Sequence, residues 1–219
     1  MLPGTWPNPP GADEYAVRLD SGRALRLLIV PALFDEANKL RHFTVETMRS
    51  LDAAGVDCLL PDLPGTNESL ADLQIQTLAS WRAAMAAAAA HFAATHLLTV
   101  RAGALCAPEG LPCLHYAPVA GASVLRALLR ARVIADREAG LESSREALLD
   151  QGKRGGLVLA GYSLGAALIS ELEKAELAPG SAEIAQAELG GPGLWLRAEP
   201  DHDPAQTEAL ARIVRERIG

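Results

Sequence analysis

Apolar positions in this chain recur with two periods, one suited to buried strands and one to helices, and the two alternate along most of its length. Residues 3–12 are rich in Pro and Gly and predict an irregular lead-in. Residues 15–19 alternate weakly before the turn signal Asp20-Ser21-Gly22, as an edge strand would. Residues 25–31 form an apolar run of buried-strand type. From 41 to 54 the spacing of Phe43, Val45, Met48 and Leu51 predicts an amphipathic helix, ended by Gly55. A strand at 56–61, a turn-rich loop at 62–69 and a long helix over about 72–94 follow. The run 97–105 begins as a strand carrying Thr99 and Val100 and breaks into small residues suited to a sharp turn into a helix. Further strands are predicted at 113–118, 157–164 and 194–198. Helices are predicted after residue 123, over 166–177 and from the acidic turn 199–203 to Gly219, while 136–155 reads as polar and mixed. Strands alternating with helices predict one domain, α/β, with a mostly parallel sheet between two helical layers.

Composition narrows the class. With 49% hydrophobic and 21% charged residues, a chain of 219 residues folds rather than staying disordered. A net charge of −7 counts against nucleic acid or an anionic membrane as partner. Three cysteines, Cys58, Cys106 and Cys113, lack metal-ligand spacing and read as reduced thiols packed as small hydrophobes. No secretory signal and no membrane span is evident, so the expectation is a cytoplasmic protein. Whether it forms a homo-oligomer or takes a partner protein is open.

The chemistry centres on the break after Val100. A strand that turns sharply into a helix is the setting of the nucleophile elbow of α/β-hydrolases, Gly-x-Ser-x-Gly. Aligned on Gly103, the nucleophile position holds Arg101 and the leading glycine is Thr99. A guanidinium stays protonated and offers no free lone pair for attack on a carbonyl.

Several segments together resemble one group within that superfamily. Asp62-Leu63-Pro64-Gly65-Thr66-Asn67-Glu68-Ser69 is similar to the loop after the second parallel strand of the hydrolase fold. Glu36-Ala37-Asn38-Lys39-Leu40-Arg41 resembles the E-x-N-K-x-R loop of the type 2 hydrolases associated with exosortase A systems. Pro118-Val119-Ala120-Gly121 and Ala160-Gly161-Tyr162 resemble two further segments of that group, and Arg101-Ala102-Gly103-Ala104 the latter half of its arginine-bearing elbow. The likeness spans roughly residues 25–205. It implies a three-layer hydrolase-type sheet with a small cap over about 122–180, and an accessory protein of bacteria that export exopolysaccharide and sort PEP-CTERM proteins. It supplies no substrate. Against the pattern of that fold the chain ends about one strand early, and the strand before the catalytic histidine is missing.

Two functions from different classes follow. In the first, the chain is catalytically degenerate and binds an acidic small molecule or a partner, with Arg101, Asn38, Lys39 and Arg41 as ligand-binding residues. Arg101 also has a purely structural reading, as the buried mate of Asp35, Glu36 or Asp201. In the second, Gly161-Tyr162-Ser163-Leu164-Gly165 is a working elbow, with Ser163 as nucleophile of an esterase or thioesterase and Asp201 and His202 as its acid and base. About four strands precede Ser163 where two are usual. His202 also adjoins both candidate acids, Asp201 and Asp203, so all three cannot easily face one another. No phosphate-binding glycine motif and no His, Cys or Asp spacing for a metal is present, and no cofactor is expected.

Overall fold

The computed structural model describes residues 2–8, 11–178 and 182–219. Its centre is a seven-stranded sheet in the order β1-β2-β4-β3-β5-β6-β9. The strands are β1 (Leu2–Trp6), β2 (Glu14–Leu19), β3 (Arg26–Val30), β4 (Asp57–Pro61), β5 (His96–Val100), β6 (Cys113–Tyr116) and β9 (Ala182–Ile184). Those from β4 through β9 in that order run parallel, and β1 and β2 join antiparallel at the β4 edge. The parallel strands read as near-continuous apolar runs because helices cover both of their faces. Along β3 the alternation is clean: Leu28 and Val30 enter one core, Leu27 and Ile29 the other.

The first core is closed by α2 (Leu78–His91), α3 (Gly121–Glu138) and α5 (Ala166–Lys174), through Trp81, Met85, Leu125, Leu129 and Leu168. The second is closed by α1 (Asp35–Ala53) and α7 (Pro204–Ile218), through Phe43, Met48, Leu51, Leu210 and Val214. Caps set the helix starts. Thr77 and Ser80 make a reciprocal capping box for α2, and Asp203 accepts from Ala205 and Gln206 at the head of α7.

Several segments differ from the sequence-based expectation. The lead-in contains a strand, β1, whose Pro3 is tolerated because β1 is an edge. Helix α1 starts six residues early, at Asp35, so Asn38, Lys39 and Arg41 stand on a helix rather than in a loop. The single strand expected at 157–164 is a hairpin, β7 (Leu157–Leu159) and β8 (Tyr162–Leu164), turned by Ala160 and Gly161 with both φ positive, the requirement of a tight two-residue hairpin turn. Residues 194–198 are not a strand. Leu194–Leu196 form one 3-10 turn that buries Leu194 and leaves Leu196 exposed, and β9 closes the sheet instead. Among the described residues no strand lies beyond β9. Between β6 and β9 the chain leaves the sheet to build α3, α4 (Arg145–Gly155), the hairpin and α5, and the short α6 (Gln186–Leu189) follows β9. No helix is long and apolar enough to cross a membrane.

Candidate functional site

Strand order reverses around β3: β4 lies on one side and β5 on the other. In open α/β sheets this switch leaves a crevice beyond the carboxyl ends of the strands. Three non-glycine residues with positive φ sit there: Phe34 at 56° after β3, Arg101 at 54° after β5 and Ala117 at 44° after β6. Such backbone costs on the order of 1–3 kcal/mol per residue and persists only where the surroundings hold it. The grip is visible at Gly103. A Cβ there would come within 2.7 Å of the Val30 carbonyl oxygen and closer still to that of Pro31, so the turn after β5 presses on the end of β3 with no room for a side chain. Thr99, in the leading-glycine position, is buried. Its hydroxyl pairs at 2.8 Å with Nδ1 of His115, its register partner on β6. Burial pushes the His115 imidazole down from its ordinary value.

Arg101 thus occupies the strained turn itself. Its Nε and Nη2 donate to the two carboxylate oxygens of Glu36, each at 3.0 Å, and Nη1 donates to the Ala117 carbonyl at 2.7 Å. The guanidinium lies over the Trp195 ring, 3.8 Å from its centroid. Of the three carboxylates weighed from sequence as mates, Glu36 is the one that pairs. The left-handed turn at Ala117 aims the carbonyl that Arg101 uses, and the 3-10 turn at 194–196 delivers the ring. Arg101 is 13% exposed and opens onto a cavity of about 780 Å³.

Asp35, Glu36, Asn38, Lys39, Arg101 and Ser123 supply the polar part of this cavity's lining. The rest is apolar: Val124, Ala127, Leu128 and Ala131 from one face of α3, with Leu33, Phe34, Val119, Tyr162, Trp195 and Leu196. Lys39 is paired with Asp35 at 2.9 Å. Arg41 does not line the cavity. Its Nη1 donates at 2.9 Å to Asp62, which is fully buried and also accepts from Asn67.

The three residues expected to form a triad are not brought together. Ser163 is the central residue of β8, opposite Val158 in the hairpin, rather than on a strand-to-helix turn. Gly165 after it is required by packing: its Cβ would collide with the Gln74 carbonyl oxygen. Asp201 is 52% exposed, pairs with Arg197 and accepts from the His202 backbone N–H. That backbone hydrogen bond, helped by Arg197, holds its carboxyl below the usual range. His202 shares a 3.1 Å hydrogen bond with Thr207 through Nε2 and lies against the His42 ring, centroids 4.7 Å apart. Among the described residues, Ser163 hydrogen-bonds to no histidine and no cluster of three metal-type ligands occurs. Burial raises the thiols of Cys106 and Cys113 to about 12, so neither is a nucleophile at neutral pH. Glu36 was one of three open mates in the sequence. Trp195 and Phe34 carried no signal there beyond being apolar, and Tyr162 stood out only as part of the Ala160-Gly161-Tyr162 segment and the pentapeptide.

No protein-family profile matches the chain, and no curated protein matches it. Solved structures do. Alpha/beta hydrolase domain-containing protein 10 from mouse is similar at 13% identity and a TM-score of 0.57, over 100% of this chain and 98% of its own. A putative hydrolase from Agrobacterium vitis is similar at 15% identity and a TM-score of 0.55, over 100% and 99%. A bottromycin epimerase is similar at 14% identity and a TM-score of 0.55, over the whole of both chains. At such identities the likeness establishes the α/β-hydrolase fold. It does not establish an activity, and an epimerase stands beside hydrolases in the same fold.

Proposed function

We propose that this chain is a non-hydrolytic protein on the hydrolase fold, a binding protein whose cavity takes a small molecule with a largely apolar body. The observation that carries the reading is Arg101 at φ 54° on the strained turn, paired with Glu36, where an attacking serine would have to stand. A guanidinium locked between a carboxylate, a carbonyl and an indole face cannot act as a nucleophile, and it can position a ligand through its remaining N–H groups. We favour an uncharged ligand over the acidic one expected from the sequence. Arg101 with Glu36 and Lys39 with Asp35 cancel, so these lining residues have no net charge to offer an anion. An uncharged amphipathic molecule fits better. On the motif resemblance we place the protein with the exosortase-associated hydrolases in the bacterial cytoplasm, with the α3–α5 region as the cap over this cavity.

The second reading, a serine esterase using Ser163, is favoured by the complete pentapeptide beside the cavity, which Tyr162 lines. Against it stand the extended backbone at Ser163 and the separate partners of Asp201 and His202. The binding reading is tested with the neutral apolar dye Nile red. Saturable binding is expected, weakened at least tenfold by Ala127→Trp, which fills the cavity from α3. No saturable binding, or binding untouched by that substitution, would refute it.

A further inference from the structure

Donors and acceptors are unevenly spent along the main cavity. A guanidinium carries five N–H groups and accepts nothing. Three of those on Arg101 are used: Nε and Nη2 donate to Glu36 at 3.0 Å each, and Nη1 to the Ala117 carbonyl at 2.7 Å. One N–H on Nη1 and one on Nη2 remain, on a side chain that lines the cavity and is 13% exposed. The three hydrogen bonds and the Trp195 ring hold the guanidinium in one orientation, so the remaining donors are fixed in advance of any ligand. Ser123, also in the lining, accepts from Arg126 at 2.8 Å and keeps its own hydroxyl proton to give. The carboxylates are less available. Both Glu36 oxygens are engaged by Arg101, and Asp35 pairs with Lys39 at 2.9 Å and is 61% exposed to water. The Asn38 amide serves either way.

We infer that Arg101 anchors an uncharged carbonyl, so that the main cavity takes a neutral acyl compound, a fatty ester or a long-chain ketone. Its C=O accepts from the two remaining N–H groups, and its chain lies on the apolar wall of Val124, Ala127, Leu128 and Ala131. The inference rests on the binding reading of the main cavity and adds to it the polar group of the ligand. An acceptor is required at Arg101 because a ligand that displaced water there without replacing its hydrogen bonds would leave a charged donor unpaired. A carboxylate is disfavoured. Glu36 already neutralises Arg101, and a second carboxylate on the same guanidinium would stand against the first. A hydrocarbon gains the apolar wall alone. A carbonyl oxygen has two lone pairs and no charge, so it takes both N–H groups and leaves the ion pair intact.

The test uses diphenylhexatriene, a hydrocarbon dye with no polar atom, bound to the whole chain and displaced by methyl octanoate or by octanoate. Wild type is expected to prefer the ester to the anion at least tenfold at neutral pH. The infrared band of the ester carbonyl, which stands clear of the protein's amide band, is expected to move to lower frequency on binding, as hydrogen-bonded carbonyls do. Arg101→Met removes the donors and keeps a long side chain; the ratio of ester affinity to dye affinity is expected to fall at least tenfold and the band shift to vanish. Glu36→Gln leaves Arg101 its charge without the neutralising carboxylate. It is expected to reverse the preference for ester over octanoate, which supports the anchor even if Arg101→Met does not fold. Octanoate displacing the dye as well as the ester does in wild type, bound ester with an unshifted band, or a ratio unchanged by Arg101→Met would overturn the anchor and leave the main-cavity reading standing. So would an ester preference untouched by Glu36→Gln. Dye binding insensitive to Ala127→Trp would overturn both, as would cleavage of the ester by the wild-type chain.

Discussion

Arg101 was legible as an anomaly in the sequence, because Gly103 fixes the alignment and leaves an arginine at the attacking position. What Arg101 does there was not legible. Its partner lies 65 positions away and its aromatic cover comes from a segment that reads as a strand. The pair is partly shielded, with the side chain of Arg101 13% and that of Glu36 28% exposed, so it is worth more than a surface ion pair and less than a fully dry one. A double-mutant cycle of Arg101→Ala and Glu36→Ala is expected to return a coupling on the order of 1–2 kcal/mol by denaturant unfolding, and an additive result would contradict the geometry. Glu14 is a residue the sequence left unremarked. It is buried at the start of β2 with Oε2 lacking a hydrogen-bond partner among the described residues, and burial raises its carboxyl, with Asp62 adding to the rise and Ser69 and Asn8 opposing it. A carboxyl raised in the fold contributes stability below its unfolded value that is lost as pH rises through its folded value. Glu14→Gln should therefore gain stability relative to wild type in the window that opens as pH rises above the ordinary glutamate range. A difference in unfolding midpoint that stays constant across that window would count against this account.

At the scale of elements, the sequence yielded the strands buried on both faces and the long amphipathic helices, since each carries its period over many residues. It failed where an element is short or serves the site. The three residues of β9 have one buried side chain, Ile184, too little pattern to register. Residues 194–196 look like a strand because they are apolar, yet Trp195 is spent on Arg101 and Tyr116 rather than on a sheet. The hairpin at 157–164 hid as one strand because Ala160, at φ 49°, is an unusual residue for its turn. The pentapeptide at 161–165 shows the same confusion of motif with packing. Gly165 is needed because the start of α5 abuts the Gln74 carbonyl, and Gly103 because its turn abuts β3. Gly165→Ala and Gly103→Ala are each expected to cost roughly 1–3 kcal/mol or more through forced overpacking, whereas Ser163→Ala should fall within about 0.5 kcal/mol of wild type. Thermal unfolding of the three variants checks this. A Ser163→Ala cost as large as that of Gly165→Ala would mean that Ser163 is held in a network the fold does not reveal.

For the molecule as a whole, the three-layer architecture follows from alternation alone, and the place of the site follows from strand order, which no local pattern reports. β3 is the pivot: Phe34 and Arg101 leave the sheet on adjacent strands at the point where the order reverses, and their strained turns frame the cavity. On the proposed reading, this crevice keeps the position and the strain of a hydrolase site while the Arg101–Glu36 ion pair stands in the place of the nucleophile. Labelling of the folded wild-type chain by a fluorophosphonate probe at neutral pH, read by mass spectrometry, tests this most directly. The account predicts no adduct on any serine. A stoichiometric adduct on Ser163 that disappears in Ser163→Ala would contradict it and make the protein a working serine hydrolase.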